Sequence, residues 1–227
     1  MLSYQVRAIK PGFVVISFCN LCFSFKKLKI MKHLFIFTAL MFVGTINAQI
    51  KIASSDSQIK TALYACPDMF KDGAKVLGYN EKGELITLRE GSNDMVCLAD
   101  DPNKAGISVS CYSNKLEPYM SRGRALIAEG KTEVEKRDIR KTEIDAGTLE
   151  MPKTPAAVYV VTASAEDHDA TNGELKKSKI RYVLYKPYMS ALETGLPTKP
   201  GLPGMPWLMD ADTHRSHIMI TPPAEKE

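Results

Sequence analysis

The sequence predicts an α+β domain in which an antiparallel sheet, made of an early four-strand meander plus late strands, carries two helices packed on one face. Three observations predict it. Four short β-rich segments follow one another between residues 74 and 112, two segments with helical apolar spacing lie between 116 and 147, and runs rich in Val, Ile and Tyr return after Pro155.

The domain begins after a leader. In residues 32–50, KHLFIFTALMFVGTINAQI, the apolar run Leu34 to Val43 would be about 15 Å long as a helix, half of the roughly 30 Å hydrocarbon core, so it is short for a membrane span. Lys32 and His33 ahead of it and Thr45-Ile46-Asn47-Ala48 behind it fit a signal peptide cut after Ala48. Residues 1–30 then read as a mis-assigned extension upstream of a true start at Met31. The rival reading makes Phe13 to Phe25, followed by Lys26, Lys27 and Lys29, an anchor, which is also short for a span. The expected organisation is extension 1–30, cleaved leader 31–48 and a single domain 49–227, with no stable membrane span after cleavage. The expected location is the periplasm or the exterior, as for bacterial envelope and secreted proteins.

Charge follows the same division. The full chain carries 30 Lys and Arg against 26 Asp and Glu, but Arg7, Lys10, Lys26, Lys27, Lys29 and Lys32 precede the cut and no acid does, so residues 49–227 have a net charge of −2. The basic excess belongs to the leader. A nucleic-acid partner would need clustered Lys and Arg with aromatic or motif support, and neither is present.

Within 49–227, Ile59, Leu63 and Cys66 recur at helical spacing after Ser54, Ser55, Asp56 and Ser57, which predicts a short helix ended by Pro67. Ala74–Tyr79 and Glu84–Glu90 flank Asn80-Glu81-Lys82-Gly83 as a hairpin; Asp94–Ala99 and Ile107–Tyr112 form a second, longer one. Leu116, Tyr119, Met120, Gly123, Leu126 and Ile127 mark a helix with Pro118 in its first turn and Gly130 beyond its end. Thr132 to Glu135 has a capping-box pattern opening a second helix that stops at Gly147; its charges mix signs, leaving Val134, Ile139 and Ile144 to bury. Strands are expected at Ala156–Ala163, Lys179–Lys186 and His217–Thr221. Pro197, Pro200, Pro203 and Pro206 recur every third residue, the polyproline II period. They predict a stiff strap over 195–206 in which Leu196, Leu202, Met205 and Trp207 grip the domain.

Few residues carry candidate chemistry. Cys97 and Cys111 fall opposite each other in the second hairpin, so a disulfide between them is expected; the alternatives pair Cys66 with either or leave all three reduced. Cys66 has no His nearby in sequence to activate it and reads as a buried structural thiol. The loop EDHDATNGEL offers Asp167, Asp169, Asn172, Gly173 and Glu174 as oxygen ligands, but Gly and Glu miss their EF-hand positions, and an exposed acidic turn explains it better. In WLMDADTHRSHI, Asp210, Asp212, His214 and His217 have the donor types of a zinc site. The spacing is permissive, and no Gly-x-Ser-x-Gly elbow, P-loop or dinucleotide fingerprint accompanies it. The expected function is therefore a noncatalytic, exported domain without a cofactor, binding an envelope or extracellular ligand or partner. The alternative is a metal-assisted hydrolase using zinc at Asp210, Asp212, His214 and His217.

Overall fold

A computed structural model describes residues 52–223. The chain separates between Ala48 and Gln49; the extension, the leader and its expected cut lie outside the described residues. Among the described residues, an eight-stranded mixed sheet with four α-helices makes the fold, and the α+β class holds.

Helix α1 (Ser55–Ala62) starts where the Ser54 hydroxyl accepts the amide of Ser57, continues as a 3-10 turn over Leu63–Ala65, and stops before Pro67. Strands β1 (Lys75–Tyr79) and β2 (Leu85–Arg89) form the expected hairpin, with Gly83 at φ 78° and the Asn80 side chain accepting the amides of Lys82 and Glu84. Strands β3 (Met95–Leu98) and β4 (Ile107–Ser113) form the second, with Cys97 opposite Cys111.

The two hairpins do not make a meander. Strand β3 lies beside β1 and parallel to it, so the order runs β2-β1-β3-β4 and the sheet is mixed instead of antiparallel. Burial explains the order. The centre of β1, Val76 to Gly78, is buried and needs a neighbour on both sides, whereas β2 exposes Leu85, Ile86 and Thr87 and fits an edge. Residues 90–94 cross under the start of β1, where Ser92 and Asn93 donate to the Gly73 carbonyl and a Cβ on Gly91 would stand 2.7 Å from the Lys75 nitrogen.

Helix α2 (Glu117–Ala128) buries Tyr119, Gly123 and Leu126, while Ile127 stays half exposed. Helix α3 (Glu133–Asp145) opens on the capping box of Thr132 and Glu135. Contrary to the apolar expectation, Arg140 is its buried residue and Val134 is exposed. The guanidinium lies 3.9 Å over the Tyr119 ring and donates to the Tyr119 carbonyl at 3.2 Å, in space that Gly123 leaves open.

Strand β5 (Ala156–Ala163) pairs with β4. A separate ribbon, β6 (His168–Asp169) with β7 (Glu174–Leu175), leads to β8 (Lys179–Tyr185), and the short α4 (Ala191–Thr194) follows. Strands β9 (Trp207–Met209) and β10 (His217–Ile220) complete the order β4-β5-β8-β10-β9. Packing covers both faces of the sheet, not one. Ala62, Val76, Cys97, Val109 and Cys111 share a core with Ile59 of α1 and Leu63 of the turn after it, while Leu77, Val96, Tyr112, Val158 and Val183 share the other with Leu116 and Met120. Among the described residues no helix is long and apolar enough to cross a membrane.

The proline segment is not a uniform strap. A turn at Leu202–Gly204, with Gly204 at φ 82° bonded to the Thr221 carbonyl, folds it back into β9, and Leu208 donates to the Pro197 carbonyl. Leu202 and Met205 point into solvent at 72% and 45% exposure, so of the expected grips only Trp207 joins a core, beside Val183 and Met219.

Candidate functional site

A cleft of about 220 Å³ opens between α1, the β3–β4 connection and the β6–β7 ribbon, lined by Gln58, Thr61, Tyr79, Asp100, Lys104 and His168 among others. Polar residues on the buried side of α1 build its floor. Gln58 accepts the Tyr79 amide at 2.8 Å and donates to the Tyr79 carbonyl at 2.9 Å, serving the last residue of β1 as another strand would. The Thr61 hydroxyl lies 2.9 Å from the Ser57 carbonyl, 3.1 Å from the Gly173 carbonyl and 3.1 Å from Nε2 of His168. Its one proton goes to a carbonyl, so its oxygen receives the His168 Nε2–H and Nδ1 keeps a lone pair.

Electrostatics at the cleft favour neutral forms. Burial pushes the Asp100 carboxyl above the usual carboxylate range, against the amide of Ser108 that donates to it at 2.7 Å, and the neighbouring Asp101 adds to the rise. Burial likewise lowers the His168 pKa, with Asp169 opposing. Lys104 pairs with Asp101 at 3.2 Å, and among the described residues Asp100 has no cation within ion-pair distance. The site thus presents acceptors and a protonatable carboxyl to whatever enters it.

Three residues of the zinc expectation lie in the turn before β10 and His217 opens that strand, and the four do not converge. Asp210 and Asp212 occupy left-handed positions, at φ 52° and 61°. Asp210 accepts Arg215 through Nε at 2.9 Å and through Nη2, while Asp212 is exposed. His217 stacks on Tyr185 at 4.7 Å and donates Nδ1–H to the Arg215 carbonyl at 2.7 Å. His214 is buried edge-on to Tyr119 at 6.2 Å, and neither of its ring nitrogens has a hydrogen-bond partner. Burial lowers the pKa of both histidines, and Arg140, Arg215 and Lys141 depress His214 further. Among the described residues, no three of these four bring ligand atoms together; the group of His, Cys, Asp and Glu that does so is Cys66, Cys97 and Cys111.

The sulfurs of Cys97 and Cys111 are bonded at 2.04 Å on the α1 face, and Cys66 is a buried free thiol whose pKa burial raises. The oxygen-rich loop uses its side chains in local hydrogen bonds and one ion pair to α1. Asp167 accepts the Ser164 hydroxyl, Asp169 accepts Thr171, Asn172 accepts the Glu174 amide, and Glu174 pairs with Lys60 at 3.0 Å.

Sequence reasoning missed Gln58, Thr61, Asp100 and Lys104 as cleft residues because they come from distant segments without a motif. One signal was available: Gln58 and Thr61 share the helical face of Cys66's neighbours Ala62 and Ala65, and polar residues on a buried face need partners. In comparisons with protein families, curated proteins and solved structures, the chain matches none.

Proposed function

We propose that this is an exported protein that binds a small polar ligand in the cleft between α1, the β3–β4 connection and the β6–β7 ribbon, without converting it. The observation that carries the reading is the cleft itself, where Asp100, whose pKa burial raises, and His168, whose pKa burial lowers, line one concave surface. Its volume of about 220 Å³ lies below the usual range for drug-sized ligands, about 300–1,000 Å³, so the ligand is small. Residues 32–48 support export, and the periplasm or exterior as the location.

A thermal-shift screen of small polar metabolites tests binding. A ligand at a hundred times its Kd adds about 2.7 kcal/mol, and the gain should vanish in both Asp100→Asn and His168→Ala. Hits that stabilise both variants as well as the parent, or that are chemically consumed, overturn the proposal. N-terminal sequencing of the natural product should begin at Gln49. The zinc hydrolase reading draws no support from the placement of Asp210, Asp212, His214 and His217.

A further inference from the structure

The three cysteines of the described domain come from separate segments: the turn after α1, strand β3 and strand β4. Their sulfurs nevertheless lie within 4.8 Å of one another. Cys97 and Cys111 are fully buried and Cys66 is 4% exposed, packed in one core with Ala62, Ala65, Val76 and Val109. One S–S bond is shared among three sulfurs, and Cys66 is left over.

We propose that, when the Cys97–Cys111 bond is reduced, Cys66, Cys97 and Cys111 form a three-sulfur site for a trivalent thiophilic ion of the arsenic(III) class, and that forming the disulfide closes it. Distance supports this. Metal–thiolate bonds are about 2.3 Å, which sets three sulfurs on one ion about 3.5–4 Å apart. Cys66 already lies within 4.8 Å of both partners, and reduction frees the pair to take that spacing.

Charge selects the ion. Three thiolates around Zn(II) keep a net charge of −1 and call for a fourth donor, and around Cu(I) they keep −2; Lys71 and Arg89 act on the Cys66 thiol, but Lys71 is paired with Asp68 and Arg89 donates to the Ala74 and Lys71 carbonyls. Burying an uncompensated charge among apolar side chains is costly. Three thiolates around As(III) form a neutral three-coordinate complex, which carries no net charge into the apolar core. The chemistry balances in two steps. A phosphine reductant takes the oxygen of one water and delivers two thiols from the disulfide, becoming a phosphine oxide. Then As(OH)₃ and three thiols give As(SR)₃ and three waters, with no change in the oxidation state of arsenic.

The test uses the full chain carrying C19S and C22S, which removes the upstream cysteine pair. Phosphine-reduced protein titrated anaerobically with arsenite is expected to gain one arsenic in place of three protons by native mass spectrometry. Peptide mapping after alkylation should show Cys66, Cys97 and Cys111 protected together. The oxidised protein should take up none, and Cys66→Ala should weaken binding about tenfold or more, a loss of at least about 1.4 kcal/mol. Peptide mapping needs no core variant, so a folding defect in Cys66→Ala leaves the test intact. Protection of only two thiols, equal affinity in Cys66→Ala, or uptake of Zn(II) in preference to arsenite overturns the proposal.

Discussion

Arg140 should be the residue on which the attachment of α3 depends, and Arg140→Ala measures that. It is the buried residue of a helix whose remaining side chains are exposed or half-exposed. Its guanidinium lies 3.9 Å over Tyr119 and donates to the Tyr119 carbonyl and to the Lys136 carbonyl. A desolvated cation–π contact contributes about 2 kcal/mol, and a hydrogen bond from a charged donor about 1.5–3 kcal/mol. Against these stands the cost of burial, which also lowers the pKa of Arg140 and is relieved when the charge is removed. Among the described residues no carboxylate lies within ion-pair distance of it. The net expectation is a loss of about 2–3 kcal/mol, or roughly 4–12 °C in Tm for a domain of this size. The ion pair between Arg122 and Glu143 joins the same helices at 2.8 Å but is partly exposed, and contributes about 1 kcal/mol at most. Urea and thermal melts give the global loss. Hydrogen exchange should show the amides of 133–145 losing protection ahead of the sheet, and Arg140→Lys should recover only part, because an ammonium lacks the planar fork. Stability within about 0.5 kcal/mol of the parent and unchanged exchange in α3 would refute the reasoning.

Three further outcomes are expected. In a Cys66→Ser background, which prevents re-pairing, the oxidised protein should exceed the reduced one by about 3 kcal/mol in urea melts, because the Cys97–Cys111 link spans a sequence separation of 14; a gap under about 1 kcal/mol would contradict the chain-entropy account. Burial lowers the pKa of His168, His214 and His217 in the fold, so the unfolded chain binds more protons below its own histidine pKa of about 6.5. That stability is present above pH ~6.5 and is lost as pH falls toward the folded values. Urea midpoints from pH 7.5 down to 5 should therefore decline, less steeply in His214→Phe, and a flat profile would show that these rings do not titrate differently on unfolding. Gly173 takes φ 73° with its Cα facing the Ser57 carbonyl too closely for a Cβ, so Gly173→Ala should cost about 2 kcal/mol or more; Gly130→Ala, at φ 77° in open space, should cost about 1 kcal/mol by the same melts.

The amino-acid sequence by itself determined the elements whose signals are local. The capping box of α3 is written in Thr132 and Glu135, and the first hairpin in Asn80 and Gly83. The opposition of Cys97 and Cys111 follows from hairpin register, since side chains alternate faces with a period of two. Periodicity also recovered α2 and strands β5, β8 and β10 to within a few residues.

Only the tertiary structure decided how these pieces meet. That β3 pairs with β1 in parallel depends on which strand two cores bury from both sides, a property of the assembled sheet that no window of sequence contains. Arg140 is buried because Gly123 of another helix leaves it room and Tyr119 offers it a ring, so the pattern that left only Val134, Ile139 and Ile144 to bury was misleading at that position. Strand β9 escaped notice among prolines because its partner, β10, follows it only after the turn through Asp210 and Asp212. The cleft collects Gln58, Asp100 and His168 from three distant segments. Local chemistry governs caps, turns and alternation, whereas burial and proximity are sums over the whole chain, and those sums exist only once it has folded.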